Sequence, residues 1–63
     1  MQIDKLLTQK EVVEITGLSH AYFEMARHKK NSKLVHIKIG RAVRYRLSDV
    51  QRWIESNVVG AGI

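Results

Sequence analysis

The basic residues are the part of this sequence whose type and spacing most clearly indicate a chemistry. Residues 1–26 hold two basic and four acidic side chains, a net charge of −2, whereas residues 27–46 hold eight basic side chains and no acid. A block of one sign over about twenty residues attracts a polyanion, so we interpret it as a nucleic-acid-binding surface. The alternative is a solvated face that keeps a small protein soluble. The eight residues are Arg27, Lys29, Lys30, Lys33, Lys38, Arg41, Arg44 and Arg46.

The histidines and hydroxyl residues do not form a recognisable catalytic or metal-binding pattern. His20, His28 and His36 are spaced eight residues apart, and the chain contains no cysteine. Zinc-binding motifs instead place their histidines and cysteines in close pairs. Ser19 and His20 are sequence neighbours, whereas a nucleophilic triad needs an oriented base and an oxyanion hole from a larger scaffold. We therefore expect no metal, no cofactor and no enzymatic activity.

The length and the apolar pattern restrict the chain to one small domain. A chain of 63 residues buries only about 60% of the surface that it exposes when unfolded, which leaves little room for an active-site cavity. No apolar run approaches the roughly 20 residues that would span a bilayer. The first residues lack the basic stretch and apolar segment of a secretory signal. We expect a cytoplasmic protein with no membrane partner.

Two capping patterns predict a pair of short helices. Thr8 and Glu11 form a T-x-x-E capping box, in which each side chain can accept a hydrogen bond from the other residue's backbone amide. Gly17 can take the left-handed conformation that ends a helix, and Ser19 offers a second N-cap two residues later. The glycine turn redirects the chain, so the two helices cannot be collinear. The predicted helices span residues 9–16 and about 20–29.

Alternating residues after position 32 predict a β-hairpin followed by a third helix. The turn signal is Gly40-Arg41, and the alternation on either side predicts one apolar face and one strongly basic face. The apolar face would carry Val35, Ile37, Ile39, Val43 and Tyr45, and the basic face His36, Lys38, Arg44 and Arg46. A second capping box, Ser48-x-x-Gln51, predicts a helix that has Ser48 as its N-cap and ends near Ser56. That helix would bury Val50, Trp53 and Ile54.

Four segments, taken in order along the chain, resemble the excisionase / AlpA-type regulator family. Its members are small phage and mobile-element proteins with a MerR-like winged helix-turn-helix. The resemblance covers roughly residues 6–55, but residues 29–34 replace the short glycine- and proline-containing joint usual in the family. The segments are Leu6-Leu7-Thr8-x-x-Glu11-Val12, Gly17-Leu18-Ser19, Ile37-Lys38-Ile39-Gly40-Arg41 and Arg44-Tyr45-Arg46-x-Ser48-Asp49-Val50-x-x-Trp53-Ile54.

The resemblance implies a fold that is mainly α with a β-hairpin, in the order helix-helix-strand-strand-helix. The winged helix-turn-helix domain would occupy residues 6–56, with flexible termini at 1–5 and 57–63. The second helix would lie in the major groove of double-stranded DNA, and the hairpin would act as a wing on the adjacent backbone or minor groove. The candidate DNA-binding residues are Ser19, His20, Ala21, Tyr22, Met25, Arg27 and His28 on the helix and Lys38, Arg41 and Arg44 on the wing.

Individual side chains keep alternative roles at this stage. His20 can reach a base edge or a phosphate from the helix N-terminus, and Met25 can touch a thymine methyl group or pack against the protein. Arg46 lies farther from the wing tip and could pair with Asp49 or Glu55. We expect the aromatic residues on the apolar faces to be core residues and not stacking platforms for bases. These are Phe23, Tyr45 and Trp53.

The resemblance also implies a biological role that depends on partners. An excisionase loads several copies beside each other, bends attachment-site DNA, and directs a phage integrase, the recombinase, toward excision. An AlpA-type protein with the same fold would regulate transcription at a promoter. Two hypotheses from other classes are a binder of structured RNA and a protein-interaction adaptor whose charge is incidental. Salt dependence and a preference for duplex DNA would distinguish them.

Overall fold

The computed structural model describes residues 3–29 and 33–60, and within them the chain forms a winged helix-turn-helix. The elements are β1 (Leu6–Leu7), α1 (Gln9–Thr16), α2 (His20–His28), β2 (Ile37–Ile39), β3 (Ala42–Arg46) and α3 (Leu47–Ser56). The predicted order helix-helix-strand-strand-helix is confirmed, with an additional strand in front of it. Outside the described residues lie Lys30 of the basic segment and the outermost parts of both expected flexible termini, residues 1–2 and 61–63.

The turn between α1 and α2 forms as the capping pattern predicts. The Thr8 hydroxyl accepts a hydrogen bond from the Glu11 amide at 3.2 Å, and the Glu11 carboxylate accepts one from the Thr8 amide at 3.0 Å. Gly17 ends α1 at φ 73°, and its amide donates to the Val13 carbonyl oxygen at 2.8 Å. Ser19 then caps α2, because its hydroxyl accepts from the Tyr22 amide at 3.1 Å. These caps satisfy backbone amides that a helix start leaves free.

Strand β1 is an element that the sequence patterns did not predict. It pairs antiparallel with β3, with Leu6 opposite Arg46 and Leu7 opposite Tyr45, and the sheet order is β1-β3-β2. Leu7 is 3% exposed and belongs to the core. A strand of two residues shows no alternation, so hydrophobic periodicity does not detect it.

The predicted division of the hairpin into an apolar face and a basic face is wrong. A two-residue loop, Gly40-Arg41, joins β2 to β3 and therefore sets odd-numbered residues opposite even-numbered ones. Since residues directly opposite each other lie on the same face of a sheet, Lys38 shares its face with Val43. Each face thus combines apolar and basic side chains. The register pairs Ile37 with Arg44, Lys38 with Val43 and Ile39 with Ala42.

The start of α3 also differs from the prediction. Strand β3 continues directly into the helix, whose N-cap is Arg46 with no side-chain hydrogen bond. The first helical amide, that of Leu47, donates instead to the Lys5 carbonyl oxygen at 2.9 Å, so the segment before β1 takes the place of a capping side chain. Ser48, the predicted cap, lies inside the helix and its hydroxyl donates to the Asp4 carboxylate.

Asp49 forms the ion pairs at the base of α3. Its side chain is 7% exposed, and it accepts hydrogen bonds from Arg46 Nε at 2.7 Å and from Arg52 Nη1 at 3.3 Å. Of the two partners expected for Arg46, Asp49 and Glu55, the structure pairs it with Asp49. The carboxylate also lies in the first turn of α3, where a negative charge stabilises the helix.

The core is a single cluster between the helices and the inner face of the sheet. Phe23 and Tyr45 are fully buried, as predicted, whereas Trp53 is half-buried against the cluster. Ile54, predicted as buried, is 37% exposed, because it lies at the rim of a groove that no described residue covers. Leu34 joins the core from the segment before β2, whereas Val35, which was predicted on the apolar face, is 47% exposed. The buried apolar residues are Leu7, Val12, Phe23, Leu34, Tyr45 and Val50.

No helix formed by residues 3–29 and 33–60 combines the length and the apolar character that crossing a membrane requires. The longest, α3, has ten residues, and a span needs about twenty.

Candidate nucleic-acid interface

The outer face of α2 is open to a partner. Phe23 points into the core, and because successive helical residues are about 100° apart, Ala21, Met25 and His28 project to the opposite side. These three residues are exposed, and so are Ser19, His20 and Tyr22. Of the seven candidates predicted on α2 and its cap, Arg27 alone is half-buried.

Two of the candidates on α2 border the groove between α2 and α3. The Tyr22 ring centroid is 6.4 Å from that of Trp53 and 5.2 Å from that of Phe23, and the residue is 44% exposed. Met25 is 63% exposed and lines a groove together with Tyr22 and Trp53. Packing therefore accounts for part of the surface of Tyr22, while Met25 keeps most of its side chain available for contact.

Two other candidates, His20 and Arg27, lie on the side of α2 that faces the start of α1. Both contact the side-chain amide of Gln9, the first residue of α1. Gln9 Nε2 lies 3.1 Å from His20 Nδ1, and Gln9 Oε1 accepts a hydrogen bond from Arg27 Nη1. The Tyr45 hydroxyl, on β3, donates to the same oxygen at 3.4 Å. Gln9 therefore connects α2 to the wing strand.

Gln9 is not among the residues that the sequence patterns predict for this interface. It stands at the first position of a helix, where a polar residue usually faces solvent, and its three partners lie 11, 18 and 36 residues away. No local pattern links positions at such separations. The periodic placement of His20 and Arg27, two helical turns apart on one side of α2, is the one sequence signal that relates two of the partners.

The three candidates on the wing lie on different surfaces of it. Arg41 is exposed in the two-residue loop, and Lys38 is exposed on the face that also carries Val43. Arg44 is half-buried on the other face, and its Nη1 donates to the Val43 carbonyl oxygen at 2.8 Å. The positive charge therefore surrounds the wing and includes its tip.

The charges of the candidate interface are not neutralised within the described residues. In that part of the chain, both ion pairs belong to Asp49, on the α3 side of the domain. The cations of α2 and the wing are therefore available to contact an external anion. Neutralisation of phosphate groups by Lys and Arg side chains dominates the affinity of proteins for nucleic acid. The residues concerned are Arg27, Lys38, Arg41 and Arg44.

The pKa of Glu11 reports on the local electrostatics between α1 and the wing. Its carboxyl pKa is lowered, first by the hydrogen bond from the Thr8 backbone amide and then by that from the Thr8 hydroxyl. The positive charges of Lys5 and Arg44 lower it further. Glu11 is thus an anion committed to the helix cap, and it does not form an ion pair with Arg44. Within the described residues, no three potential metal ligands come together.

Comparison with known proteins agrees with this geometry. No curated protein and no solved structure matches the chain. A family model described as a helix-turn-helix domain matches residues 6–58, a span that includes β1, the helix pair, the wing and α3. This model represents the excisionase and AlpA-type DNA-binding domains. The chain therefore belongs to the helix-turn-helix family of excisionase and AlpA-type DNA-binding domains.

Proposed function

We propose that this protein binds double-stranded DNA with α2 in the major groove and the β2–β3 wing on the adjacent backbone or minor groove. The observation that carries the proposal is the placement of four cations on α2 and the wing, beside an exposed helix face, with no ion pair to any residue of 3–29 or 33–60. Phosphate contacts made by such cations would set the position of α2, and side chains on its outer face would read base edges.

The N-terminus of α2 supports the same docking mode. Ser19 caps the helix and leaves His20 exposed at its first position. The positive end of the helix dipole favours a phosphate at this point, and His20 adds a side chain that can contact a phosphate or a base edge.

We further propose that the protein is an excisionase that acts with an integrase. Helix α2 has nine residues, so it presents about three or four base-reading side chains. Each contributes roughly 1–3 kcal/mol of discrimination between bases. This is too little to select one site in a genome, so binding needs neighbouring copies or a larger protein already on the DNA. Loading of several copies that bend attachment-site DNA toward excision meets this requirement.

The AlpA-type alternative, a transcriptional regulator, has the same docking face. Bending distinguishes the two, because the excisionase proposal requires the protein to change the path of the DNA. Circularly permuted fragments from the region that flanks the encoding gene would show position-dependent gel mobility if the site bends. Uniform mobility of the complexes would favour the regulator.

The docking mode is tested by NMR on the labelled protein with a short duplex from the same region. We expect backbone amide shifts to change in α2 and around the β2–β3 loop and to stay constant around Ile54 on α3. Changes confined to the groove lined by Ile15, Leu18 and Ile54 would contradict the proposal and favour the protein-interaction adaptor. Tighter binding to structured RNA than to the duplex would favour the RNA binder.

A further inference from the structure

We propose that Gln9 is a positioning residue that holds His20 as the tautomer protonated on Nε2. His20 would then present a hydrogen-bond donor to an acceptor on the DNA, either a phosphate oxygen or guanine N7 or O6. The inference rests on the proposed function for the DNA contact. The tautomer itself is a property of the free protein.

The orientation of the Gln9 amide follows from its contact with Arg27. A guanidinium carries only donors, so the amide atom that faces Arg27 Nη1 must be the oxygen. The Tyr45 hydroxyl donates to the same oxygen at 3.4 Å. With the oxygen committed to these two donors, the amide nitrogen Nε2 faces His20.

The orientation of the amide then determines the tautomer of His20. Gln9 Nε2 is a donor only, and it lies 3.1 Å from His20 Nδ1, so Nδ1 must be the acceptor of the pair. A neutral imidazole that accepts at one nitrogen carries its proton on the other. The proton of His20 is therefore on Nε2, and the residue is exposed.

The same amide also fixes α2 relative to the wing. Its nitrogen contacts His20 at the first position of α2, both at the ring and at the backbone carbonyl oxygen, the latter at 3.5 Å. Its oxygen contacts Arg27 near the last position of that helix and Tyr45 on β3. One residue of α1 thereby sets two of the candidate DNA-binding side chains and the strand that carries Arg44. Gln9 affects DNA binding only through His20 and Arg27, because its side chain contacts theirs and not the DNA.

The tautomer is tested first, by the imidazole ¹⁵N chemical shifts of His20 in the DNA-free protein. We expect Nδ1 to show the shift of an unprotonated nitrogen and Nε2 that of a protonated one. Gln9→Glu keeps an acceptor for Arg27 and Tyr45 but has no donor for Nδ1, so the proton should move to Nδ1. Gln51→Ala, at an exposed glutamine of α3, should leave the shifts unchanged. An Nδ1 that is protonated in the wild-type protein would overturn the proposal.

The DNA contact is tested by a double-mutant cycle between Gln9 and His20. Gln9→Ala should weaken binding to the preferred duplex about 3- to 10-fold, the effect of one hydrogen bond. In the His20→Ala background the same substitution should weaken binding by a smaller factor, because only the part of its effect that passes through Arg27 remains. Equal losses in both backgrounds would overturn the positioning role. A merely structural role would produce that equal loss, and a thermal midpoint for each variant shows whether folding has changed.

The failures of the two proposals give different results. If the wild-type protein binds no duplex, both the proposed function and the proposed contact between His20 and DNA are wrong. If the wild-type protein binds and the cycle shows no coupling, only the role of Gln9 is wrong.

Discussion

Lys38 and Val43 lie directly opposite each other in the hairpin, so one face of the wing carries both a cation and a side chain that packs against the core. The two-residue loop at Gly40-Arg41 produces this pairing. A hairpin with all its cations on one face could contact DNA only along that face. Here the cations lie on both faces and at the tip, as expected for a wing that enters a groove or bridges its edges.

The wing cations should contribute to affinity without contributing to sequence preference. Arg41→Ala and Arg44→Ala should each weaken binding to every duplex and reduce the slope of log affinity against log salt by roughly one unit. Arg52→Ala is the matched control, because Arg52 is an exposed arginine that pairs with Asp49 on α3. Titrations over a salt series measure all three slopes. An Arg52→Ala slope that falls as much as the other two would place the DNA on a different face.

His20 should contribute to discrimination between sites. His20→Ala should reduce the preference for the specific duplex over a scrambled one, by roughly 1–3 kcal/mol if the residue reads a base and by much less if it contacts a phosphate. Competition binding with the two duplexes measures this ratio directly. An equal loss of affinity for both duplexes would show that His20 contacts the backbone alone.

Gly17 should be required for the turn because of its backbone conformation and not because of its size. Its φ is 73°, and an added Cβ would meet no atom within 4 Å. Gly17→Ala should therefore destabilise the fold by about 1–2 kcal/mol, which lowers the thermal midpoint by roughly 4–8 °C per kcal/mol. Gly17→Asn should cost less, since asparagine adopts the left-handed region more readily. Equal midpoints for Gly17→Ala and the wild-type protein would contradict the assigned turn.

The capping box should make the free energy of unfolding depend on pH in the acidic range. The folded-state pKa of Glu11 lies below its ordinary value because Thr8 donates to the carboxylate. A lowered folded-state pKa means that the unfolded chain binds the proton first. The contribution is therefore complete above the unfolded pKa and is lost as the pH falls through the folded one. As the pH falls through this range, the free energy of unfolding of Glu11→Gln should decrease less than that of the wild-type protein. Urea unfolding at a series of pH values measures both. Parallel pH profiles of the free energy of unfolding for the two proteins would contradict the hydrogen bonds from Thr8 to the Glu11 carboxylate.

The sequence was most informative where local patterns determine local structure. The Thr8 and Ser19 caps and the Gly17 turn occur as predicted, because capping depends on residues at most three positions apart. The order of the helices and the hairpin follows from the same signals. Phe23 and Tyr45 are buried as predicted, since the helical period of α2 and the alternation within β3 each identify the side that faces the core.

The incorrect predictions share one cause, which is a partner that lies outside the local pattern of the element concerned. Ser48 matches a capping box, but the Lys5 carbonyl already satisfies the first amide of α3. The faces of the hairpin depend on a register that the loop length sets and the alternation within each strand does not. Gln9 likewise has no local signal, since its contacts exist only once α2 and β3 are packed beside α1.

Fluorescence anisotropy with two labelled duplexes at two salt concentrations would show whether the protein binds duplex DNA and prefers one sequence. One duplex comes from the region flanking the encoding gene, and the other has the same composition in scrambled order. If about five phosphates are neutralised, affinity should fall roughly 500-fold between about 50 and 200 mM salt, with a preference for the native duplex at both. Weak binding to both duplexes that does not change with salt would contradict the account.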